Sequence, residues 1–181
     1  MLGRQRRPVH ALTKEEPAAM HPKALDFREG MSRLGAAVTL ITTDGPEGRH
    51  GMTASAVCSI TDDPPTLLVC VNRTNRSHDL FNGNGNLCVN ILAGRHQELA
   101  NAFAGRGGTE RFTGGEWNTL TTGAPVLVDA VAAFDCRIVE RVAIGTHSVF
   151  YGRVEAVHLN DAPPEALIWF GRGFHTLVAQ S

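Results

Sequence analysis

Apolar positions recur at helical spacing once, near the start of the chain, and at strand spacing almost everywhere after it. Phe27, Met31, Leu34 and Val38 share one face, with Arg28, Glu29 and Arg33 on the other. That spacing predicts one amphipathic helix of about three turns. From Ala37 to Thr43 the residues become β-branched strand formers. Asp44-Gly45-Pro46-Glu47-Gly48 punctuates them as a hairpin loop, and a second strand is predicted from His50 to Ser59. After the turn residues Asp62-Asp63-Pro64-Pro65, Thr66 to Val71 is predicted as a buried strand. Alternation over Asn86–Leu92 and Ala132–Val142, and strand formers over Ser148–Leu159 and Ala166–Phe170, predict further strands. Short helices fit near Ser77–Asn82 and His96–Ala104. Many strands, few helices and frequent glycine turns predict a mainly β fold, a β-barrel with a few peripheral helices. The glycine-rich stretch 105–115 interrupts it as a candidate loop over a site. No repeat or linker divides residues 21–181, which are expected to form one domain behind a loosely ordered N-terminal arm, residues 1–20.

Composition narrows the chemistry. The chain has 181 residues, enough for one domain with a real core, and its 43% hydrophobic residues fall in short runs. No run approaches a membrane span. A net charge of −1 gives no basic footprint for nucleic acid. The opening residues lack an apolar signal-peptide core, and Cys58, Cys70, Cys88 and Cys136 include no C-x-x-C pair. Buried reduced thiols and a cytoplasmic location are therefore expected. The histidines and cysteines are too dispersed for a metal site. Gly83-Asn84-Gly85 runs on to Cys88 where a dinucleotide fingerprint needs its third glycine. The only lysines, Lys14 and Lys23, exclude a P-loop and a Schiff base in the core. No nucleophile elbow is present either. Chemistry carried by a bound organic cofactor survives this elimination, because the protein then supplies binding and orientation.

Several segments could serve such a cofactor. Gly51-Met52-Thr53-Ala54-Ser55-Ala56 would let a flat aromatic ring lie against the backbone, with hydroxyls and peptide groups at its polar edge. A strand packed tightly on a helix accounts for the same residues at least as well. Asn72-Arg73-Thr74-Asn75-Arg76-Ser77 follows a strand and precedes a helix, a placement that suits an anion and equally an ordinary cap with solvated arginines. His147 is a turn histidine or a site group. Gly171-Arg172-Gly173-Phe174-His175 gathers a cation, a ring and an imidazole, or is a solvated turn.

The order of these segments is more specific than any one of them. Phe27-Arg28 with Leu34-Gly35-Ala36-Ala37-Val38, the run Gly51 to Ser59, Asp63-Pro64-Pro65, Asn86 to Asn90, Glu110-Arg111-Phe112, Gly145-Thr146-His147 and Phe174-His175 come in the order of a known family. Residues 27–177 closely resemble the short-chain NAD(P)H:flavin reductases, the reductase components of two-component flavin-dependent monooxygenases. The closest likeness is to those serving 4-hydroxyphenylacetate, chlorophenol and pyrimidine-ring oxygenases.

The resemblance implies a flavin-binding split β-barrel that forms homodimers. It implies NADH-dependent reduction of non-covalently bound FMN or FAD, with the reduced flavin passed to a partner monooxygenase. That partner would hydroxylate an aromatic substrate, phenolic or chlorophenolic, or a heterocyclic one. Thr53, Ala54 and Ser55 would line the flavin ring with help from the backbone near Ser59, and Asn72, Arg76 and Ser77 would hold its ribityl chain and phosphate. His147, in the catalytic position, would lie with Arg172, Phe174 and His175 on the NADH side. Where many members have Asp-His, this chain has Thr146-His147. Two competing readings of the same barrel are a flavin-retaining electron carrier or redox sensor, and a pyridoxine-phosphate oxidase-like enzyme needing a second phosphate site.

Overall fold

The computed structural model describes residues 23–105, 109–162 and 165–179, so the expected arm lies outside the described residues. Helix α1 (Ala24–Ser32) leads into β1 (Ala36–Ala37), β2 (Thr39–Thr43), β3 (His50–Ala54), β4 (Val57–Asp62) and β5 (Pro65–Asn72). Then come α2 (Ser77–Asn84), β6 (Asn86–Ile91), α3 (Gln97–Ala104), a 3-10 turn (Thr109–Gly114), β7 (Trp117–Thr119) and β8 (Pro125–Leu127). The chain finishes with β9 (Ala132–Ile144), β10 (His147–Leu159), β11 (Glu165–Phe170) and β12 (Gly173–Val178).

Seven strands form one antiparallel sheet in the order β3-β2-β6-β9-β10-β5-β4. Its two edges, β3 and β4, are consecutive in sequence and are joined by Ser55 and Ala56 alone. A two-residue link reaches only about 11 Å, so the sheet must curl until its edges nearly meet. They do not pair with each other: β3 pairs with β2 and β4 with β5. This is a barrel left split at Ser55–Ala56, as the mainly β expectation required. Strands β1, β11 and β12 form a second sheet, and β7 and β8 a small hairpin.

The core explains the burial along each strand. Every residue of β2 is buried because its two faces serve different clusters. Leu40 joins Val38, Leu92, Phe103, Leu127 and Leu167, whereas Ile41 joins Val69, Phe81, Leu87, Val89 and Phe150. Strand β6 is also covered on both faces, with Leu87 and Val89 in the second cluster and Cys88 packed on Ala124, Val126 and Ala133. Buried polar groups there are satisfied. Asn90 donates to Leu40 O at 3.2 Å and accepts from Leu127 N at 2.8 Å, and the Thr43 hydroxyl donates to Asn86 Oδ1 at 2.7 Å.

Several expectations need correction. The predicted strand His50–Ser59 is two strands, because after Ala54 the backbone changes sheet edge and Ala56 O accepts from Cys70 N at 3.0 Å. The first helix stops at Ser32 instead of reaching Val38, since Val38 N–H and C=O are taken by Leu167 and Leu92. Cys58 is exposed, not buried. Strand β5 alternates between buried and accessible positions rather than being buried throughout. The segment from Gly173 is a strand, not a turn, and the short β7–β8 hairpin was not anticipated.

Candidate functional site

Two hollows flank the split in the barrel. The larger is a groove of about 1220 Å³, walled on one side by Ser55, Val57, Cys58 and Ser59 and on the other by Phe27, Met31 and Leu34 of the α1 segment. Trp169 and Arg172 also line it. The second is a cleft of about 440 Å³ between β3, the loop after β5, and the end of α3, lined by His50, Thr53, Thr74, Arg76, Phe103 and Arg111 among others.

The sequence-predicted ring segment is divided between these hollows. Thr53 lines the cleft, and its hydroxyl donates to Ala100 O of α3 at 2.6 Å. Ala54 packs on the core cluster below β3. Ser55 and Ser59 are exposed on the groove, to either side of the strand break.

The anion segment is tightly built. Asn72 ends β5 and its Oδ1 accepts from Thr74 N at 2.9 Å, an Asx turn that reverses the chain. Asn75 Oδ1 accepts from Ser77 N at 2.8 Å and so caps α2 from two residues upstream. Ser77 is fully buried, 2.8 Å from His50 Nδ1, whereas Arg76 is exposed on the cleft. His78 is buried with Nε2 2.9 Å from Ser148 Oγ, which ties α2 to β10.

His147 is exposed at the start of β10, in register with Asn72, and its Nδ1 lies 2.9 Å from Thr146 Oγ1. Arg73 N donates to Thr146 O at 2.9 Å, so this turn and the anion segment form one unit. His147, Phe174 and His175 line neither hollow. Phe174 packs edge-on against Trp169 with ring centroids 5.0 Å apart, and His175 Nε2 lies 3.1 Å from Phe170 O. Arg172 alone of the predicted NADH-side group lines the groove.

Sequence reasoning gave no role to Arg111 or His50. Arg111 is buried at the cleft, with Nη1 donating to Gly51 O at 3.0 Å and Nη2 to Gly105 O at 3.3 Å. Its signal was present in Glu110-Arg111-Phe112, a cation beside an aromatic ring in a glycine-rich stretch. His50 had none, since a lone histidine opening a strand has no distinguishing pattern. Burial, then Arg111 and Arg76, hold His50 below its ordinary pKa of 6.5, so the ring is neutral at physiological pH. No cluster of three or more metal-ligating side chains exists among the described residues, and no described helix is long and apolar enough to cross a membrane.

Comparison with known proteins gives these hollows a context. Residues 31–178 match the flavin reductase like domain. The FMN reductase (NADH) RutF of Stutzerimonas stutzeri is 51% identical over 153 residues, spanning 84% of this chain and 87% of that protein. The protein of the same name from Variovorax paradoxus is 49% identical over 171 residues, covering 94% and 93%. Among solved structures, the flavin reductase component of a bacterial two-component tryptophan halogenase superposes with a TM-score of 0.79 at 30% identity, covering 87% of this chain and 99% of that one. An NADH:FAD oxidoreductase of Streptomyces globisporus gives 0.81 at 25% identity, covering 92% and 100%.

Proposed function

The chain belongs to the flavin reductase like family, and on that premise we propose that it transfers hydride from NADH to FMN and releases reduced flavin to a partner monooxygenase. It is an NADH:flavin oxidoreductase on a split β-barrel. The observation that carries this reading is the pairing of an open, largely apolar groove lined by the link Ser55–Ala56 with a cationic cleft lined by the preceding residues His50 to Thr53. A flavin mononucleotide has a flat ring at one end and a phosphate at the other, and these two surfaces suit them in turn.

The residues present fit the flavin. Ser55 and Ser59 offer exposed hydroxyls on the groove, and Val57 with Cys58 gives a slender wall for a ring. Asn72, Arg76 and Ser77 form or brace the anion segment at the other end. When bound, the flavin supplies the electron sink, accepting hydride at its N5 from the nicotinamide C4. The protein supplies position: holding two planar rings in contact provides most of the rate, and no nucleophile is needed. Peptide N–H groups and cations near the ring's polar edge would stabilise charge that develops on reduction. His147, Phe174 and His175 line neither hollow, and their assignment to NADH rests on the family resemblance.

The RutF relatives carry FMN in their names, which supports FMN over FAD as the substrate here. We assign the partner to oxygenases acting on aromatic, phenolic or heterocyclic rings, with the heterocyclic case favoured by the RutF likeness. A homodimer is part of the same reading. Phe27, Met31 and Leu34 are 67%, 48% and 59% exposed on the groove, an apolar patch that a second copy would cover. Reduced thiols and use of NADH suit a cytoplasmic enzyme.

The test is anaerobic NADH oxidation with excess free FMN, then free FAD. Many turnovers per protein, faster with FMN, are expected. A single turnover with retained flavin would overturn the reductase in favour of an electron carrier.

A further inference from the structure

The cleft is more cationic than the anion segment alone makes it. Arg76 reaches it from the N-terminus of α2 and Arg111 from the 3-10 turn, and no Asp or Glu is among its described lining residues. Glu110, next to Arg111 on the turn, is exposed, and its charge partly offsets the effect of burial on that guanidinium. Burial and Arg76 both push Arg111 below its ordinary value, and burial, then Arg111 and Arg76, push His50 down. Positive charges gathered against a neutral imidazole, without a lining carboxylate, favour an anionic occupant.

The position of Arg111 is fixed by the fold. Its Nη1 donates to Gly51 O at 3.0 Å and Phe103 O at 3.4 Å, and the guanidinium carbon stands 5.5 Å from the centre of the Phe103 ring. Gly51 makes this approach possible, because a Cβ there would come within 2.8 Å of Phe103 Cε1. His50 is equally set. Its Nδ1 lies 2.8 Å from the Ser77 hydroxyl, which itself donates to Gly51 O at 3.4 Å.

The geometry points to Arg111 as the second cation, with Arg76, for the terminal phosphate of FMN, and to His50 as a polar neighbour at the same subsite. This rests on the flavin reductase reading and deepens it, since it makes the cleft the element that distinguishes FMN from flavins without a phosphate. A volume of about 440 Å³ accommodates the phosphate and adjoining polyol carbons. The flavin phosphate carries about −1.5 to −2 charges at neutral pH, which two guanidiniums balance.

Equilibrium binding of FMN and riboflavin, read by flavin fluorescence quenching, isolates the phosphate because the two ligands share ring and ribityl chain. We expect wild-type protein to prefer FMN, and inorganic phosphate to compete with FMN but not with riboflavin. Arg111→Gln and Arg76→Gln should each weaken FMN by about 10- to 100-fold with riboflavin unchanged, and His50→Gln by less. Arg111→Lys should recover part of the preference. Retained riboflavin binding reports that the barrel is intact, so misfolding is not mistaken for loss of phosphate contact. If both flavins weaken alike in Arg111→Gln, Arg111 merely braces the turn and its assignment falls. An FMN-to-riboflavin ratio that neither arginine variant changes overturns the subsite. Failure of the wild type to bind either flavin would instead overturn the flavin reading beneath it.

Discussion

Arg172 Nη2 donates to Glu29 Oε2 at 2.8 Å, an ion pair that joins the β11–β12 turn to α1 beside the groove. Next to it, Gly171 N donates to Ser32 O at 2.7 Å. These contacts matter because α1 has no buried residue. A helix without a buried face is held by its attachments, and α1 forms one wall of the groove assigned to the flavin ring. Arg172 also has φ of 65°, the left-handed region that disfavours a side chain bearing Cβ.

Arg172 therefore combines a side-chain gain with a backbone cost, and two substitutions separate them. Arg172→Ala loses the ion pair and keeps the strain. Arg172→Gly loses the ion pair and relieves it. The glycine variant should melt roughly 2 to 4 °C above the alanine variant, while both show faster limited proteolysis at α1 than wild type. Equal melting temperatures would mean that the left-handed backbone stores no cost at this turn.

The same ion pair sets a pH dependence. The Arg172 hydrogen bond, and after it that of Arg33, holds the Glu29 carboxyl below its ordinary value of 4.5. A carboxylate with a depressed folded pKa stabilises fully above its unfolded value and loses that contribution as pH falls through the lowered one. The α1 attachment should thus persist at pH 5 and weaken only in stronger acid. An NMR titration of the Glu29 side-chain carboxyl should give a midpoint below 4.5 that moves up in Arg172→Ala. No movement would show that the pair does not form in solution.

Thiol chemistry offers an independent probe of the groove. Burial raises Cys70, burial followed by Asp135 pushes Cys136 up to about 12, and burial followed by Asp135 holds Cys88 well above its ordinary value. Cys58 is exposed on the groove wall, its thiol donating to Ser59 O at 3.2 Å. A disulfide exchange reagent should therefore modify one thiol per chain rapidly. Cys58→Ser should abolish that phase, and saturating FMN should slow it in the wild type. Rapid modification that FMN leaves unchanged would place the flavin elsewhere.

The order of strands and their chemistry were largely legible before any coordinates, and the failures have physical causes. Period-two alternation identified β6 and β9, an apolar run identified β5, and strand formers identified β10. These patterns could not show that Ala54 and Val57 belong to opposite edges of one sheet, since both flanks of Ser55–Ala56 have strand character. The β7–β8 hairpin escaped because three-residue strands carry no period. Thr53, Ser55 and Arg76 were visible as small or charged residues at strand ends. Arg111 was visible within Glu110-Arg111-Phe112 but without a role, because its partners, Gly51 and Phe103, are 60 and 8 positions away and bind it through backbone carbonyls. Linear sequence does not display such contacts.

The groove assignment turns on Ser55, which is exposed at the split and lines the larger hollow. Ser55→Trp would project an indole into the space beside Val57 and Cys58 without displacing a buried side chain. Exposed substitutions of this kind change stability by about 0.5 kcal/mol or less, so the circular dichroism spectrum and melting temperature should stay close to wild type. A flavin ring would find its place filled, and both FMN and riboflavin binding should fall by at least about 100-fold, equivalent to about 2.7 kcal/mol. This loss differs in kind from that expected for Arg76→Gln, which spares riboflavin. Steric exclusion at the ring acts on every flavin, whereas loss of a cation acts only on the phosphate. A folded Ser55→Trp protein that reduces FMN with NADH at the wild-type rate would remove the ring from this groove.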